Sequence, residues 1–405
     1  MGAVATGMRL KVLKGCRNGN RVTRSGVSKA ATNQAQASVD RRPHGRRRRA
    51  NKAGRFEHVF AAIDLGTNNC RLLVAKPRGN HFKVVDAFSR IVRLGEGVSR
   101  TASLSDEAMT RTMEALKICA RKIHRNKVTK LRAIATQACR IADNGQAFVE
   151  RVAHETGIVL DIVSSEEEAK LAVQGCLPLI DDQSSDTLIF DIGGGSTELM
   201  WVTLGENGER EICGWTSLPC GVVTLAERYG GLEVPPDVFE SMVDEVSRLL
   251  APFQESHGAR WCSESTGHFL GTSGTVTTIA GVHLDLARYD RRLIDGRWMS
   301  FEEVDEVTRR LTSMCYEERA AHPCVGRERA DLVIAGCAIL EAIARLWPCE
   351  RLRVADRGLR EGILYRLMVE ADEEARLRNG GDGGSGRRRN KHTRGPNVPA
   401  GAEVS

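Results

Sequence analysis

The sequence predicts an α/β protein that consists of two duplicated domains with a cleft between them. The main observation is a pattern that occurs twice: a strand ends in an acid and glycines, two more strands follow, and helices then alternate with strands. The two copies begin at Val59 and Leu188. With 405 residues, the chain is long enough for two domains. Because clefts between domains are common ligand sites, we expect the functional site there.

The first copy begins with a short apolar run at residues 59–63, which predicts a strand because it ends at a turn containing Asp64 and Gly66. Ser105 precedes two acids, which favour the first turn of a helix, and apolar residues then recur at helical spacing. Gly157 predicts the end of a later helix. The other elements predicted here are strands at 71–75, 82–88, 131–135 and 158–163, and helices at 146–155 and 166–176.

The second copy begins with a strand at 188–192 that runs into Gly193, Gly194 and Gly195. The elements predicted after it are strands at 198–203, 211–217, 268–271 and 351–355, helices at 222–229, 236–253, 301–313, 328–346 and 359–370, and one helix from Thr275. A polar stretch at 181–186 separates the copies. We therefore predict a first domain at 59–183 and a second at 184–372.

Positive charge is concentrated at the two ends of the chain. Residues 1–58 carry 15 Lys and Arg and two acids, a net charge of +13, whereas residues 59–378 carry a net charge of −9. The first segment has few large apolar residues, which predicts a disordered basic arm. This arm either contacts polyanions or is a passive tail. Two further alternatives are that the start codon is wrongly chosen and that the segment is a transit peptide. Residues 373–405 are predicted to form a flexible basic tail.

The composition argues against a membrane protein. No apolar run approaches the roughly 18 residues of a transmembrane helix, and residues 1–15 lack the apolar core of a secretory signal. The 12 cysteines include no C-x-x-C pair, which argues against a zinc ribbon or a thioredoxin-type motif. Because scattered free thiols suit a reducing compartment, we predict a cytoplasmic protein.

Three glycine-rich loops predict phosphate binding. They lie at residues 64–68, 191–198 and 271–275, the first two at equivalent strand ends and the third at the start of a helix. Glycine lacks the Cβ that would keep a phosphate away from backbone N–H groups, and a helix N-terminus also favours an anion. Hydroxyls can add hydrogen bonds, and an acid at a strand end can hold Mg²⁺.

Paired loops of this kind resemble those of the superfamily of sugar kinases, actin and heat-shock chaperone ATPases, which implies two actin-like, ribonuclease-H-like domains. The match is closer to the exopolyphosphatase/guanosine pentaphosphate phosphatase family, whose motifs are similar to seven ordered segments of this chain. These segments are residues 60–71, 92–97, 135–144, 162–171, 190–199, 271–275 and 358–362. The resemblance implies an exopolyphosphatase that releases orthophosphate from the ends of inorganic polyphosphate.

The resemblance also implies roles for individual residues. Glu168 is followed by Ala169, as in the family motif, and is expected to be the general base that activates water. Asp191 and Glu198 match metal-binding acids and are expected to hold Mg²⁺ or another divalent cation. Arg71 is expected to face the cleft. The residues expected to bind phosphate are Gly66, Thr67, Asn68, Arg93, Arg140, Gly193, Gly194, Gly195, Ser196, Thr197, Gly271, Thr272, Ser273 and Gly274.

The motifs leave three other functions open. A guanosine pentaphosphate 5′-phosphohydrolase of the same family, with a role in the stringent response, would need the same machinery. A kinase or chaperone-type ATPase of the superfamily is a second alternative, although the acids at 166–168 argue against it. A non-catalytic sensor is a third, although retention of Glu168 argues against it. The expected partner is therefore polyphosphate or guanosine pentaphosphate, and a homodimer is one alternative for the assembly.

Overall fold

The computed structural model describes residues 8–9, 54–206, 208–258 and 267–380. Within these ranges the chain forms two α/β domains, each built on a mixed sheet, with a cleft between them. Most of the basic arm expected at residues 1–58, and the chain beyond residue 380, lie outside the described residues. From that arm, Met8–Arg9 forms a two-residue strand, β1.

The first domain contains five strands and the helices that connect them. The strands are β2 (Phe60–Leu65), β3 (Asn69–Arg78), β4 (His81–Ile91), β5 (Lys130–Ala135) and β6 (Leu160–Ile162). The helices are α1 (Val98–Thr101), α2 (Asp106–Arg125), α3 (Gln137–Ile141), α4 (Gly145–Thr156) and α5 (Ser165–Cys176). The sheet has the order β4-β3-β2-β5-β6, in which β2 is antiparallel to β3 and parallel to β5.

The second domain repeats this arrangement. Its strands are β7 (Asp186–Ile192), β8 (Thr197–Leu204), β9 (Arg210–Leu218), β10 (His268–Thr272), β11 (Trp298–Ser300) and β12 (Arg351–Ala355). The helices that follow α5 are α6 (Val222–Tyr229), α7 (Pro236–His257), α8 (Ser273–His283), α9 (Arg291–Ile294), α10 (Phe301–Ser313), α11 (Tyr316–Ala321), α12 (Val333–Leu346) and α13 (Leu359–Gly380). The sheet has the order β1-β9-β8-β7-β10-β12-β11, and β7, like β2, has an antiparallel and a parallel neighbour.

Local sequence signals explain where several helices begin and end. The Ser105 hydroxyl accepts a hydrogen bond from Ala108 N at 3.2 Å and caps α2. Gly157 adopts a left-handed φ of 72° and ends α4. Both ends confirm the sequence-based expectation. The sequence did not indicate α1, α3, α9, α11 or β11, because each has six residues or fewer and is too short for a clear periodic signal.

Two helices, α5 and α13, cross between the domains. Although α5 follows the first sheet, it buries Ala172 and Val173 in a core with apolar residues of β7 and β8. Although α13 follows the second sheet, it buries Ile363 and Leu364 against the first sheet. The second domain was expected to extend over residues 184–372. Its C-terminal boundary is corrected, because α13, at the end of this range, packs on the first domain. Hydrophobic spacing predicted this helix but does not tell which sheet it contacts.

The crossing of α5 and α13 requires glycine. A Cβ on Gly175 would lie 1.9 Å from the carbonyl oxygen of Gly358, and a Cβ on Gly362 would lie 1.9 Å from the carbonyl oxygen of Leu171. Neither distance leaves room for a side chain. The close backbone approach fixes α5, which carries Glu168, against the helix that returns from the second domain.

The folded part extends beyond the expected limits at both ends. Arg55, within the expected arm, is buried and forms an ion pair with Asp372. The expected flexible tail does not begin at residue 373, because α13 continues to Gly380 and Lys130 Nζ contacts Glu374 Oε1 at 2.7 Å. Local composition could not reveal these contacts, since Arg55 and its partner are 317 residues apart in sequence.

None of the described helices is both long and apolar enough to cross a membrane. The ten cysteines in the described ranges all have free thiols, and seven of them are buried. Burial raises the pKa of Cys139 to about 12. A buried thiol of this kind serves as a small apolar side chain in the core.

Candidate active site

A cavity of about 840 Å³ lies in the cleft between the two sheets. Its lining includes the loops after β2, β7 and β10, so all three glycine-rich segments contribute to one site. Seven arginines and seven acids also line it. The cavity is therefore a strongly charged site that both domains build.

The first two glycine loops touch each other across the cleft. A Cβ on Gly194 would lie 3.1 Å from the backbone nitrogen of Asn68, and a Cβ on Gly195 would lie 2.6 Å from Thr67 Oγ1. Glycine is needed here because the facing loop occupies the space of a side chain. Within the described part of the chain, the buried Thr67 Oγ1 and Asn68 Oδ1 have no hydrogen-bond partner. These atoms are available to a ligand, since buried polar groups are normally satisfied.

Four carboxylates surround the loops: Asp64, Glu168, Asp191 and Glu198. Asp191 and Glu198 are directly opposite each other in the register of β7 and β8. Burial, followed by the nearby charge of Asp64, raises the pKa of Asp191 to about 6. Burial and the charge of Asp191 raise the pKa of Glu198 to about 7, against a hydrogen bond that Ser217 Oγ donates at 2.8 Å. The site therefore concentrates negative charge that a cation would stabilise.

Glu168 lies in the first turn of α5 and lines the cavity. Its pKa is well above the ordinary value, chiefly because the side chain is buried and next because Glu198 carries a like charge. Arg140 opposes this effect and donates to Glu168 Oε2 at 3.2 Å. A carboxylate with a raised pKa beside a cavity lined by glycine-rich loops suits proton abstraction from water.

The arginines of the lining fall into two groups. The first group pairs with acids and consists of Arg291, Arg327 and Arg357. Arg291 Nη2 donates to Glu361 Oε1 at 2.8 Å, Arg327 Nη2 lies 3.1 Å from Glu317 Oε2, and Arg357 pairs with Asp295. A second group has no carboxylate partner among the described residues, and consists of Arg71, Arg90, Arg329 and Arg360. Burial, followed by the charge of Arg71, lowers the pKa of Arg329. A guanidinium group that forms no ion pair keeps N–H donors free for the oxygens of an anion such as phosphate.

Most residues expected from the sequence line this cavity. They are Gly66, Thr67, Asn68, Arg71, Glu168, Asp191, Gly193, Gly194, Gly195, Ser196, Glu198, Thr272 and Ser273. Asp64, Arg90, Arg291, Arg329, Arg357 and Arg360 also line it but were not among the expected site residues. Arg360 could have been found, because it lies within the motif at 358–362. The loop around Arg329 has no comparable local signal.

Five expected phosphate-binding residues lie outside the lining: Arg93, Arg140, Thr197, Gly271 and Gly274. Arg93 forms an ion pair within the protein, in which its Nη1 and Nη2 each donate to a carboxylate oxygen of Asp331 at 2.9 Å. Thr197 Oγ1 donates to a buried carbonyl, that of Cys220, at 2.7 Å. Arg140 donates to Gln137, Val163 and Glu168, so protein acceptors engage its guanidinium. The positions of the two glycines follow from packing.

A Cβ on Gly271 would lie 2.7 Å from the ring of Phe190, so this glycine serves packing behind the loop. Gly274 lines a smaller adjoining pocket of about 50 Å³. Sequence alone identifies a glycine-rich loop, but the fold decides which of its glycines faces the cavity.

The acids of the site fit a divalent cation held together with phosphate. Among the described residues, no three His, Cys, Asp or Glu side chains are arranged as a metal cage. Mg²⁺ is commonly bound by only one or two carboxylates plus substrate phosphates. Asp191 and Glu198 supply two facing carboxylates, whose pKa values are raised first by burial and next by the like charge of a neighbouring acid. The donor chemistry therefore suits Mg²⁺ without a closed cage.

Comparison with known proteins identifies the family of the chain. The family model for the Ppx/GppA phosphatase family matches residues 73–371. Exopolyphosphatase 2 of Mycobacterium tuberculosis is 30% identical over 321 residues, which cover 76% of this chain and 98% of that protein. The range matched by the family model includes the second and third glycine-rich loops and Glu168, whereas the first loop, at 64–68, lies before it.

Solved structures show the same fold. A crystal structure of the Aquifex aeolicus member of the Ppx/GppA family aligns with a TM-score of 0.64 at 26% identity, covering 77% of this chain and 98% of that one. An exopolyphosphatase structure from Cytophaga hutchinsonii aligns with a TM-score of 0.70 at 23% identity, over 77% of this chain and 98% of that one. These alignments confirm the expected pair of duplicated, actin-like α/β domains.

Proposed function

Because the chain belongs to the Ppx/GppA phosphatase family and is therefore a hydrolase, we propose that it is an exopolyphosphatase that cleaves terminal phosphoanhydride bonds of inorganic polyphosphate. One observation carries this proposal: arginines that form no ion pair among the described residues line the same cavity as buried carboxylates and the glycine loops. A chain of phosphates supplies the anions for the arginines, and its terminal phosphorus then lies near the carboxylates.

Binding is assigned to the arginines and the loops. Arg71 and Arg329 come from opposite domains, and their guanidinium groups present planar donors that match phosphate oxygens. The backbone N–H groups around Gly194 and Gly195 and the hydroxyl of Thr67 add donors at the terminal phosphate.

Glu168 is assigned as the general base. Its carboxylate accepts a proton from a water molecule as the water oxygen bonds to the terminal phosphorus. The bond from this phosphorus to the bridging oxygen breaks, the bridging oxygen departs with the shortened polyphosphate chain, and orthophosphate is released. The raised pKa of Glu168 increases its basicity toward water. Asp191 and Glu198 are the residues that would hold a divalent cation, which when bound neutralises phosphate oxygens and developing charge.

An assay of phosphate release tests the proposal. The purified chain is given long polyphosphate, guanosine pentaphosphate or ATP at equal concentrations of terminal phosphate, with Mg²⁺. We expect the highest kcat/KM for polyphosphate. Preferential cleavage of guanosine pentaphosphate would assign the family's other activity to this chain, and preference for ATP would reject both.

A further inference from the structure

Hydrogen bonds between Gln137, Arg140 and Glu168 join α3 to the first turn of α5 and connect two residues outside the cavity lining to one within it. Arg140 is a residue that the sequence suggested as a phosphate ligand. Its guanidinium has five N–H donors. Nε donates to Gln137 Oε1 at 3.1 Å and Nη2 donates to the same oxygen at 2.6 Å. Nη1 donates to Val163 O at 2.7 Å and to Glu168 Oε2 at 3.2 Å.

This arrangement leaves Arg140 little capacity for a phosphate. Four of its donors are engaged by protein acceptors, and neither Arg140 nor Gln137 belongs to the cavity lining. A guanidinium binds phosphate best through two parallel donors, which are no longer free here. Of the residues that accept hydrogen bonds from Arg140, Glu168 is the one that lines the cavity. Arg140 therefore holds a carboxylate in place instead of binding substrate.

We infer that Gln137 is a positioning residue for the reaction, because its side-chain oxygen orients the Arg140 guanidinium that holds Glu168 Oε2 at the cavity. The inference rests on the proposed role of Glu168 as the base. Glu168 lies in the first turn of α5, and its flexible side chain can adopt several rotamers. The guanidinium, tied to Gln137 on one side and to Val163 O on the other, selects one of them.

Gln137 also connects this network to the second domain. A Cβ built on Gly195 would lie 3.1 Å from Gln137 Cγ, so the stem of the side chain packs on the second glycine loop. The side chain therefore touches the loop that contacts phosphate and orients the group that holds the base. Placement of the loop and of Glu168 is therefore coupled through one residue, which lies in the motif at 135–144 but was not among the expected site residues.

The test uses Gln137→Met, which keeps the length and packing of the side chain but removes the acceptor oxygen. We expect kcat for tripolyphosphate to fall about 10- to 100-fold, as is typical when a catalytic group is displaced by a fraction of an ångström to about one. KM should stay within about twofold, since no substrate contact is lost. Gln146→Met is the matched control, because Gln146 donates only to Glu150 on the exposed side of α4, and it should behave like the wild type.

A double-mutant cycle separates positioning from general structural damage. If Gln137 acts through Glu168, Gln137→Met should cause no further loss of kcat in a Glu168→Gln background. Losses that multiply would overturn the inference, as would a raised KM at unchanged kcat, which would indicate a phosphate ligand. If Gln137→Met does not fold, Arg140→Lys replaces it, since Lys keeps the charge but cannot bridge the three acceptors. Here too a lower kcat at constant KM is expected, and the reverse pattern overturns the inference.

The two proposals fail in different ways. Wild-type kcat in Glu168→Gln would reject the base and with it the proposed mechanism. An inactive Glu168→Gln together with a fully active Gln137→Met would leave the proposed function intact and reject only the positioning role.

Discussion

Arg71 and Glu198 occupy equivalent positions in the two halves of the molecule. Arg71 follows Asp64 by seven residues and lies directly opposite it across β2 and β3. Glu198 follows Asp191 by seven residues and lies directly opposite it across β7 and β8. The duplicated framework thus presents a cation from one domain and an anion from the other. This difference matches a substrate that carries both phosphate oxygens and an associated metal ion.

Glu168→Gln should reduce kcat about 10²- to 10⁴-fold, because it removes a base but keeps the shape of the side chain. Affinity for substrate should be retained, since the variant removes no binding cation. Phosphate release and equilibrium binding of tripolyphosphate measure the two effects. Glu166→Gln is the control, because Glu166 is an exposed neighbour that pairs with Lys170. Equal losses in both variants would point to damage of α5 and not to a base.

Asp191→Asn and Glu198→Gln should each raise the Mg²⁺ concentration needed for half-maximal activity. Each variant removes one negative charge from the pair expected to hold the cation. A titration of initial rate against Mg²⁺ at fixed substrate measures the shift. Unchanged Mg²⁺ dependence in both variants would place the metal elsewhere in the cleft.

Glu198→Gln should also stabilise the metal-free protein at alkaline pH. The pKa of Glu198 is raised from 4.5 to about 7, so ionisation costs stability as the pH rises through this window and costs nothing below it. The variant should gain at most about 3 kcal/mol at pH 8. Thermal unfolding in EDTA at pH 5 and pH 8 measures the difference between variant and wild type. A difference that does not grow with pH would contradict the expected ionisation.

Arg93→Ala should weaken substrate binding without removing a substrate contact. The Arg93 guanidinium of the first domain forms an ion pair with Asp331 of the second. Glu227 of the second domain accepts hydrogen bonds from Gly97 N and Ser99 Oγ of the first, both at 2.7 Å. Loss of a partly exposed ion pair should raise KM about two- to fivefold by favouring an open cleft.

Exchange of the two charges tests this explanation. Arg93 has a φ of 47°, a left-handed conformation that aspartate tolerates better than most residues. In the Arg93→Asp, Asp331→Arg double variant the ion pair can form again, so KM should return toward the wild-type value. Failure of this variant, together with a large KM effect of Arg93→Ala, would assign Arg93 to phosphate binding.

Deletion of residues 1–53 should raise KM for long polyphosphate at low salt and leave cleavage of a short substrate intact. The segment is strongly basic, whereas residues 59–378 have a net charge of −9 and repel a polyanion. Phosphate contacts release counterions, so the deletion should also flatten the salt dependence of KM. The deletion stops before Arg55 because this residue pairs with Asp372. Removal of residues 381–405 is the control, and unchanged KM in the arm deletion would show a passive tail.

The sequence by itself determined the duplicated pattern and the chemistry of the loops. The strand-end acids, Asp64 and Asp191, and the glycines after them could be predicted because strand, turn and acid lie within a few adjacent residues. Repetition of the pattern then predicted two similar domains and a cleft. Glu168 was marked by its motif, and the structure places it in the same cavity as both strand-end acids.

Only the tertiary structure decided which charged side chains face the cavity. Arg93 and Arg140 lie in motifs, yet one pairs with Asp331, 238 residues away, and the other holds Glu168. Arg329 enters the site from a loop without a motif. The partner of a charged group depends on distances between segments that are remote in sequence, and local patterns do not contain those distances. The same reason explains α13, whose apolar spacing predicted a helix but not its packing on the first sheet.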